Sequence, residues 1–261
     1  MAESPDSDAP EAAVHSAPVA VRTPFTVAHG AHRLRGSTWG HMPASAPRLL
    51  SLHGGGATTN HRRVDYLLQP LATQGWAGAA FDFVGHGTTG GSLLGSSLAD
   101  RQAQALAVAA HLGLGATHPP LALIASSMGG HTACQLLDTL QPRALVLFCP
   151  AAYTPAAEHQ PFGPAFQQTL RATTDFADAL AWAALRRFRG RLLLVWGAED
   201  AVIPPTVIQG YSQAAKAARS VDVVQLPGVG HALHVWLQTQ PLAALALLQR
   251  IAALLAAAGR D

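Results

Sequence analysis

The stretch "PLALIASSMGGHTACQLLDTL", residues 120–140, carries an apolar run straight into a helical pattern, with two serines and a glycine pair at the junction. Residues 120–127 read as a strand almost continuous in apolar side chains, and residues 128–140 as a helix. A strand that is apolar on both faces has to be covered on both, which is the condition of a parallel sheet. The same rhythm extends in both directions. Upstream, "RLLSLHGGG" (48–56) reads as a strand, 62–75 as a helix ending at Gly75, 76–87 as a strand and turn, and 97–113 as a helix with Ser97 as its N-cap. Segment 25–40 alternates as a hairpin about a central glycine. Downstream, 144–150, 191–200 and 221–231 read as strands, 204–219 as a helix, and an Ala/Leu-rich helix closes the chain. The rhythm breaks only over 150–190, which holds Pro155, Pro161 and Pro164 and reads as an insertion above the sheet. The expectation is one α/β domain over 21–261, without internal repeats.

Composition narrows the function. The chain has 261 residues, 49% hydrophobic and 12% charged, with a formal net charge of +2. Its 17 Lys and Arg are scattered except for "RRFRGR" (186–191), which reads as a solvated helix end, so no nucleic-acid partner is expected. Cys134 and Cys149 lie in apolar stretches and read as small core residues. Residues 1–20 are acidic and rich in Pro, Ala and Ser, without the basic and apolar regions of a signal peptide. They read as a disordered tail, and the chain as cytoplasmic. Gln249 and Arg250 interrupt the last apolar stretch, which therefore reads as a buried amphipathic helix and no membrane span.

The two serines decide the chemistry. A strand that turns sharply into a helix needs small residues two before and two after the turning residue, because the two backbones pass close together. Ala125 and Gly129 stand in those places about Ser127, a variant of the Gly-x-Ser-x-Gly turn. Ser127 is the candidate nucleophile, and Ser126 stays on the strand side. An activated serine needs a base, an acid to orient it, and donors for an oxyanion. Asp200 ends the strand "LLLVWGAED", with Glu199 as its neighbouring alternative. His231 follows the last strand and completes the order Ser, Asp, His, while His234, three residues on, is read as facing the start of the last helix or solvent. For the oxyanion, the glycines of "LHGGG" let a loop approach a substrate oxygen. Gly55 is the preferred backbone donor, with Gly54 or Gly56 as alternatives, and Met128 supplies the second amide. The chain holds 13 histidines but no paired-His motif beside a carboxylate at a strand end, so neither a metal nor a cofactor is expected.

With these residues in place the chain resembles the α/β-hydrolase superfamily, and within it the single-domain lipase, esterase and serine-peptidase-like branch. The resemblance rests on "LHGGG" (52–56), "DFVGHG" (82–87), "SSMGG" (126–130), "VWGAEDAVIP" (195–204) and "PGVGH" (227–231). "DFVGHG" points to the monoacylglycerol-lipase-like side, and Asp82 and His86 are read as fixing that turn. The resemblance implies a mostly parallel eight-stranded sheet with helices on both faces and a small lid after the sixth strand. It implies a serine hydrolase acting on a small to medium carboxylic ester or thioester through an acyl-enzyme. The alternatives on this scaffold are carbon–carbon bond hydrolysis, perhydrolysis, or a non-catalytic ligand-binding protein. The aromatic residues of 150–190, Tyr153, Phe162, Phe166, Phe176, Trp182 and Phe188, would line an acyl pocket or pack the insertion onto the sheet.

Overall fold

Eight strands form one sheet in the order β1-β2-β4-β3-β5-β6-β7-β8. The computed structural model describes residues 20–41 and 46–261. Strands β1 (Val21–His29) and β2 (His32–Gly40) make the expected hairpin, which begins four residues earlier than the alternation suggests. β2 runs antiparallel to β4 (Gly78–Phe81), and the remaining pairs are parallel: β3 (Leu49–Leu52), β5 (Ala122–Ser126), β6 (Ala144–Phe148), β7 (Arg191–Gly197) and β8 (Ser220–Leu226). Of the proposed tail, residues 1–19 lie outside the described residues. Ala20 is buried, and its carbonyl accepts from Gln69 Nε2 at 2.6 Å.

The unbroken apolar strands are explained by burial on both faces. Leu50, Leu52, Leu123, Ala125, Leu145, Leu147, Leu192 and Leu194 point into one core layer. Their neighbours Leu49, Ala122, Ile124, Val146, Leu193 and Val195 point into the other, as the two-residue period of a strand requires. Helix α1 (Asp65–Thr73) and the last helix, α10 (Pro241–Arg260), cover the second layer. Helices α2 (Leu98–His111), α3 (Met128–Gln135) and α8 (Pro205–Ala214) cover the first. This division follows from handedness. The chain steps from β3 to β4 in one direction across the sheet and from β5 onward in the other, so right-handed crossovers put α1 opposite the later helices.

Three details sharpen the sequence pattern. The strand and turn expected over 76–87 divide at Phe81, where the buried Asp82 carboxylate accepts from the amides of His61 (2.6 Å) and Thr88 (2.7 Å) and bends the chain away. The expected helix over 128–140 is divided at Leu136 into α3 and the short α4 (Leu137–Leu140). Segment 150–190 holds the short α5 (Pro155–Glu158), α6 (Pro164–Ala172) and α7 (Leu180–Arg187). Of these, α7 is the crossover that parallel β6 and β7 require, packed on α3 and α8. The inserted part is therefore α5, α6 and their loops.

Helix α10 is long and apolar enough, by length and composition, to cross a membrane, with a mean hydropathy of 1.8 over an 18-residue window. It is buried along one stripe only, through Leu247, Leu248, Ile251, Leu255 and Ala258, while Leu242 and Leu245 are exposed.

Candidate active site

Sheet topology places the site. The strand order reverses at β3, so the loops leaving β3 and β5 diverge above the carboxyl ends of two neighbouring strands and leave a crevice between them. The first loop is His53-Gly54-Gly55-Gly56, and the second element is the turn at Ser127. A cleft of about 380 Å³ lies there, lined by Gly54, Gly55, Ser126, Ser127, His231 and His234 among others. A groove of similar size, about 410 Å³, lies at Arg143, Arg187, Arg189 and Arg219, among arginines paired in part with Asp138 and Asp261, away from these strand ends.

Ser127 occupies the junction of β5 and α3 at φ 50°, ψ −123°, a left-handed backbone that a residue with a side chain rarely adopts. Its amide donates to Phe148 O at 2.9 Å, and its carbonyl accepts from Ala151 N at 3.0 Å, so both sides of the turn are tied to the end of β6. A Cβ on Gly129 would collide with the carbonyl oxygens of Leu52 and His53, which makes glycine obligatory two residues after the serine. Ala125, two residues before, is fully buried and accommodated.

Ser127 Oγ lies 3.0 Å from His231 Nε2, and His231 Nδ1 lies 2.8 Å from Asp200 Oδ2. The carboxylate can only accept, so Nδ1–H donates to it and Nε2 is left to accept the serine hydroxyl proton. Asp200 Oδ1 accepts from the amides of Val202 (2.8 Å) and Ile203 (2.9 Å), which fixes the carboxylate plane. Burial pushes the Asp200 carboxyl upward, but the hydrogen bonds from His231, Ile203 and Val202 outweigh it and hold it below its usual range. Glu199, the alternative acid, is exposed. The Sγ of Cys149, the residue after β6, comes within 4.8 Å of the ligating atoms of Asp200 and His231. That cysteine is buried, as the sequence suggests, but at the wall of the cleft.

The loop after β3 passes directly over Ser127. A Cβ on Gly54 would stand 3.0 Å from Ser127 Cβ, and one on Gly55 2.8 Å from Met128 Cε. The Gly54 carbonyl accepts from His53 Nδ1 at 2.7 Å and from Arg101 Nη2 at 3.3 Å. A trans peptide sets its N–H opposite its C=O, so the Gly55 amide is turned away from these inward donors. Among the described residues no acceptor for it is found. Met128 is the first residue of α3, where an N–H has no partner within the helix.

Three features correct, decide between or add to the sequence readings. His234 is half-buried at the cleft and packs away from the last helix: it lies in the short α9 (Leu233–Gln238), its ring centroid 4.5 Å from that of Phe148 and its Nδ1 2.9 Å from Tyr66 Oη. Burial, and then the nearby Arg63, lowers its pKa to about 4. Of the two roles read for the aromatic residues of 150–190, they take the packing one: Tyr153, Phe162, Phe166, Trp182 and Phe188 are buried in the first core layer, Phe176 packs against it, and no residue of 150–190 lines the cleft. The third feature, Arg101, went unnoticed in the sequence although a signal exists. It stands on the Leu98, Ala105, Val108 stripe of α2 and is therefore carried into the core. Asp82 and His86 do fix the turn after β4, the first through its bonds to His61 and Thr88, the second set edge-to-face against His53 with ring centroids 4.8 Å apart.

The sheet order, the strained serine and the hydrogen-bonded Ser127, His231, Asp200 chain are those of the α/β-hydrolase superfamily, to which this chain belongs as a serine hydrolase. Within it, residues 45–174 match the family model described as serine aminopeptidase, S33. Among solved structures, the chain is similar to a membrane phospholipase A described as a bacterial virulence factor (TM-score 0.67, 19% identity, 92% of this chain and 87% of that one). It is similar also to Est1E of Butyrivibrio proteoclasticus, solved with ferulic acid (TM-score 0.65, 16% identity, 89% and 99%). A third is the thioesterase domain of the curacin biosynthetic pathway (TM-score 0.62, 18% identity, 88% and 99%). No curated protein sequence matches the chain.

Proposed function

We propose that the protein hydrolyses a small to medium carboxylic ester or thioester, with Ser127 as nucleophile, His231 as base and acid, and Asp200 as the group that orients it. The observation that carries this is the unbroken chain from Ser127 Oγ through His231 to Asp200, set on a serine whose backbone is held in a strained turn. Ser127 Oγ attacks the acyl carbon while its proton passes to His231 Nε2. The amides of Gly55 and Met128 receive the negative charge of the tetrahedral intermediate. Its collapse expels the alcohol or thiol, which takes the proton from His231. Water then attacks the acyl-enzyme with the same imidazole as base, and the acid product leaves.

Cleft size and lining support a compact substrate. Val64, Phe148, Leu233 and Val235 give it apolar wall, and Thr58 and Thr59 give hydroxyls. Apart from histidines, Arg63 is the one charged residue lining it, and among the described residues it has no carboxylate partner, its Nη2 being bonded to Thr58. The substrate accordingly carries an anionic group toward Arg63. The test of the reaction is labelling of the folded protein with a fluorophosphonate, followed by peptide mapping. The adduct is expected on Ser127 and absent in His231→Ala; labelling elsewhere, or equal labelling of that variant, overturns the assignment.

A further inference from the structure

Arg101 is a fully buried cation, and among the described residues no carboxylate meets it. Its guanidinium lies 3.7 Å from the ring centroid of Phe83. Nη2 donates to the carbonyls of His53 (2.5 Å) and Gly54 (3.3 Å), while Nε and Nη1 have no protein partner. Taking an unpaired charge out of water is costly, and here the charge is directed at two consecutive carbonyls of the loop that overlies Ser127. Of the titratable groups around it, the Asp82 carboxylate acts on His53 and His86 but is bonded to the amides of His61 and Thr88, and the others stay neutral. Phe83 N donates to His53 Nε2 at 3.1 Å, which leaves the proton on His53 Nδ1, and burial together with Arg101 keeps that ring neutral. His86 is likewise held toward its neutral form by burial and Arg101, and burial keeps the Tyr153 phenol protonated.

We propose that Arg101 is a positioning residue for the oxyanion donor: it pins the Gly54–Gly55 peptide with its carbonyl inward and, through the conjugated amide, makes the outward Gly55 N–H a stronger donor. The amide is one delocalised unit, so a cation at its oxygen draws electron density from its nitrogen and leaves the N–H more positive. The charge acts on the developing oxyanion through a single peptide, from a site sealed off from solvent where fields are poorly screened. Because the donor is oriented before substrate arrives, no reorganisation is needed as negative charge forms. This inference rests on the reading of Ser127 as nucleophile and Gly55 as donor.

The test compares Arg101→Gln, which can still donate a hydrogen bond but has no charge, with Arg101→Lys, which keeps the charge, using 4-nitrophenyl butyrate and a trifluoromethyl ketone that forms a tetrahedral adduct. The expected result is a kcat at least about tenfold lower in Arg101→Gln, with KM within about twofold. Affinity for the ketone should fall by the same factor, and Arg101→Lys should lie between it and the wild type. In Arg101→Ala, millimolar guanidinium should restore part of kcat. A folded Arg101→Gln with wild-type kcat overturns the proposal. So does equal loss in the Gln and Lys variants without guanidinium rescue, which marks a packing role alone. Should Arg101→Gln fail to fold, the Lys variant and the rescue experiment decide by the same criteria. Failure of the underlying reading looks different: the wild type itself would then turn over no faster than Ser127→Ala.

Discussion

Asp200 meets His231 Nδ1 at 2.8 Å through one carboxylate oxygen while two backbone amides hold the other. Replacing that carboxylate with an amide keeps the shape and inverts the demand on the imidazole. The NH2 of an asparagine facing Nδ1 would favour the tautomer with its proton on Nε2, which cannot accept from serine. Asp200→Asn is expected to lower kcat by about 10⁴-fold, measured on an activated ester with the fold checked by circular dichroism. Glu199→Gln, at an exposed neighbour, should leave kcat within about twofold.

Gly129 and Ala125 flank the same turn with unequal room. In Gly129→Ala the new methyl has to displace the carbonyls of Leu52 and His53, which belong to the central strand and the loop over the nucleophile. Loss of several kcal/mol is expected, seen as a fall in Tm and in kcat together. Ala125→Gly should cost only about 1 kcal/mol and leave the turn intact.

His234 predicts a loss of stability in mild acid. Its folded pKa is about 4 against an ordinary value of 6.5, so below pH 6.5 the unfolded chain binds a proton that the folded chain refuses. The stability this ring contributes is therefore complete above about pH 6.5 and declines as pH falls toward 4, by roughly 2 kcal/mol after allowance for its partial exposure. Urea midpoints recorded across that range should fall more steeply for the wild type than for His234→Asn.

Arg63 predicts a preference by charge. A 4-nitrophenyl monoester of glutaric acid should be turned over with a kcat/KM about tenfold above that of 4-nitrophenyl valerate, equivalent to about 1.4 kcal/mol. Salt should erode the preference. Arg63→Met should abolish it while leaving the valerate rate unchanged. An equal response of both esters to that substitution would remove Arg63 from substrate recognition.

How far the sequence spoke depended on whether a feature is local. The strands were legible because both faces of the sheet are covered, which writes an apolar run into β3, β5, β6 and β7. That Ser127, His231 and Asp200 would meet in one hydrogen-bonded chain was legible because each follows a strand and they fall in one chain order. The side on which the cleft opens was not, because it is set by where β3 and β5 diverge, a relation between segments some 70 residues apart. The role of α7 was hidden for a similar reason: a crossover helix and a lid helix have the same periodicity. Arg101 shows the reverse case, a residue whose stripe position was visible but whose charge suggested the surface.

The insertion takes no part in walling the cleft at Ser127, and this separates inheritance of the fold from inheritance of specificity. The aromatic side chains of 150–190 are committed to the core, whereas Thr58, Thr59 and Val235 touch the cleft from short segments that carry little of that packing. Substitutions that retarget the enzyme can therefore accumulate at these three positions without spending the stability reserve on which further mutation depends. A library confined to them should yield mostly folded variants, so that a lineage could change its substrate many times while its scaffold stayed still.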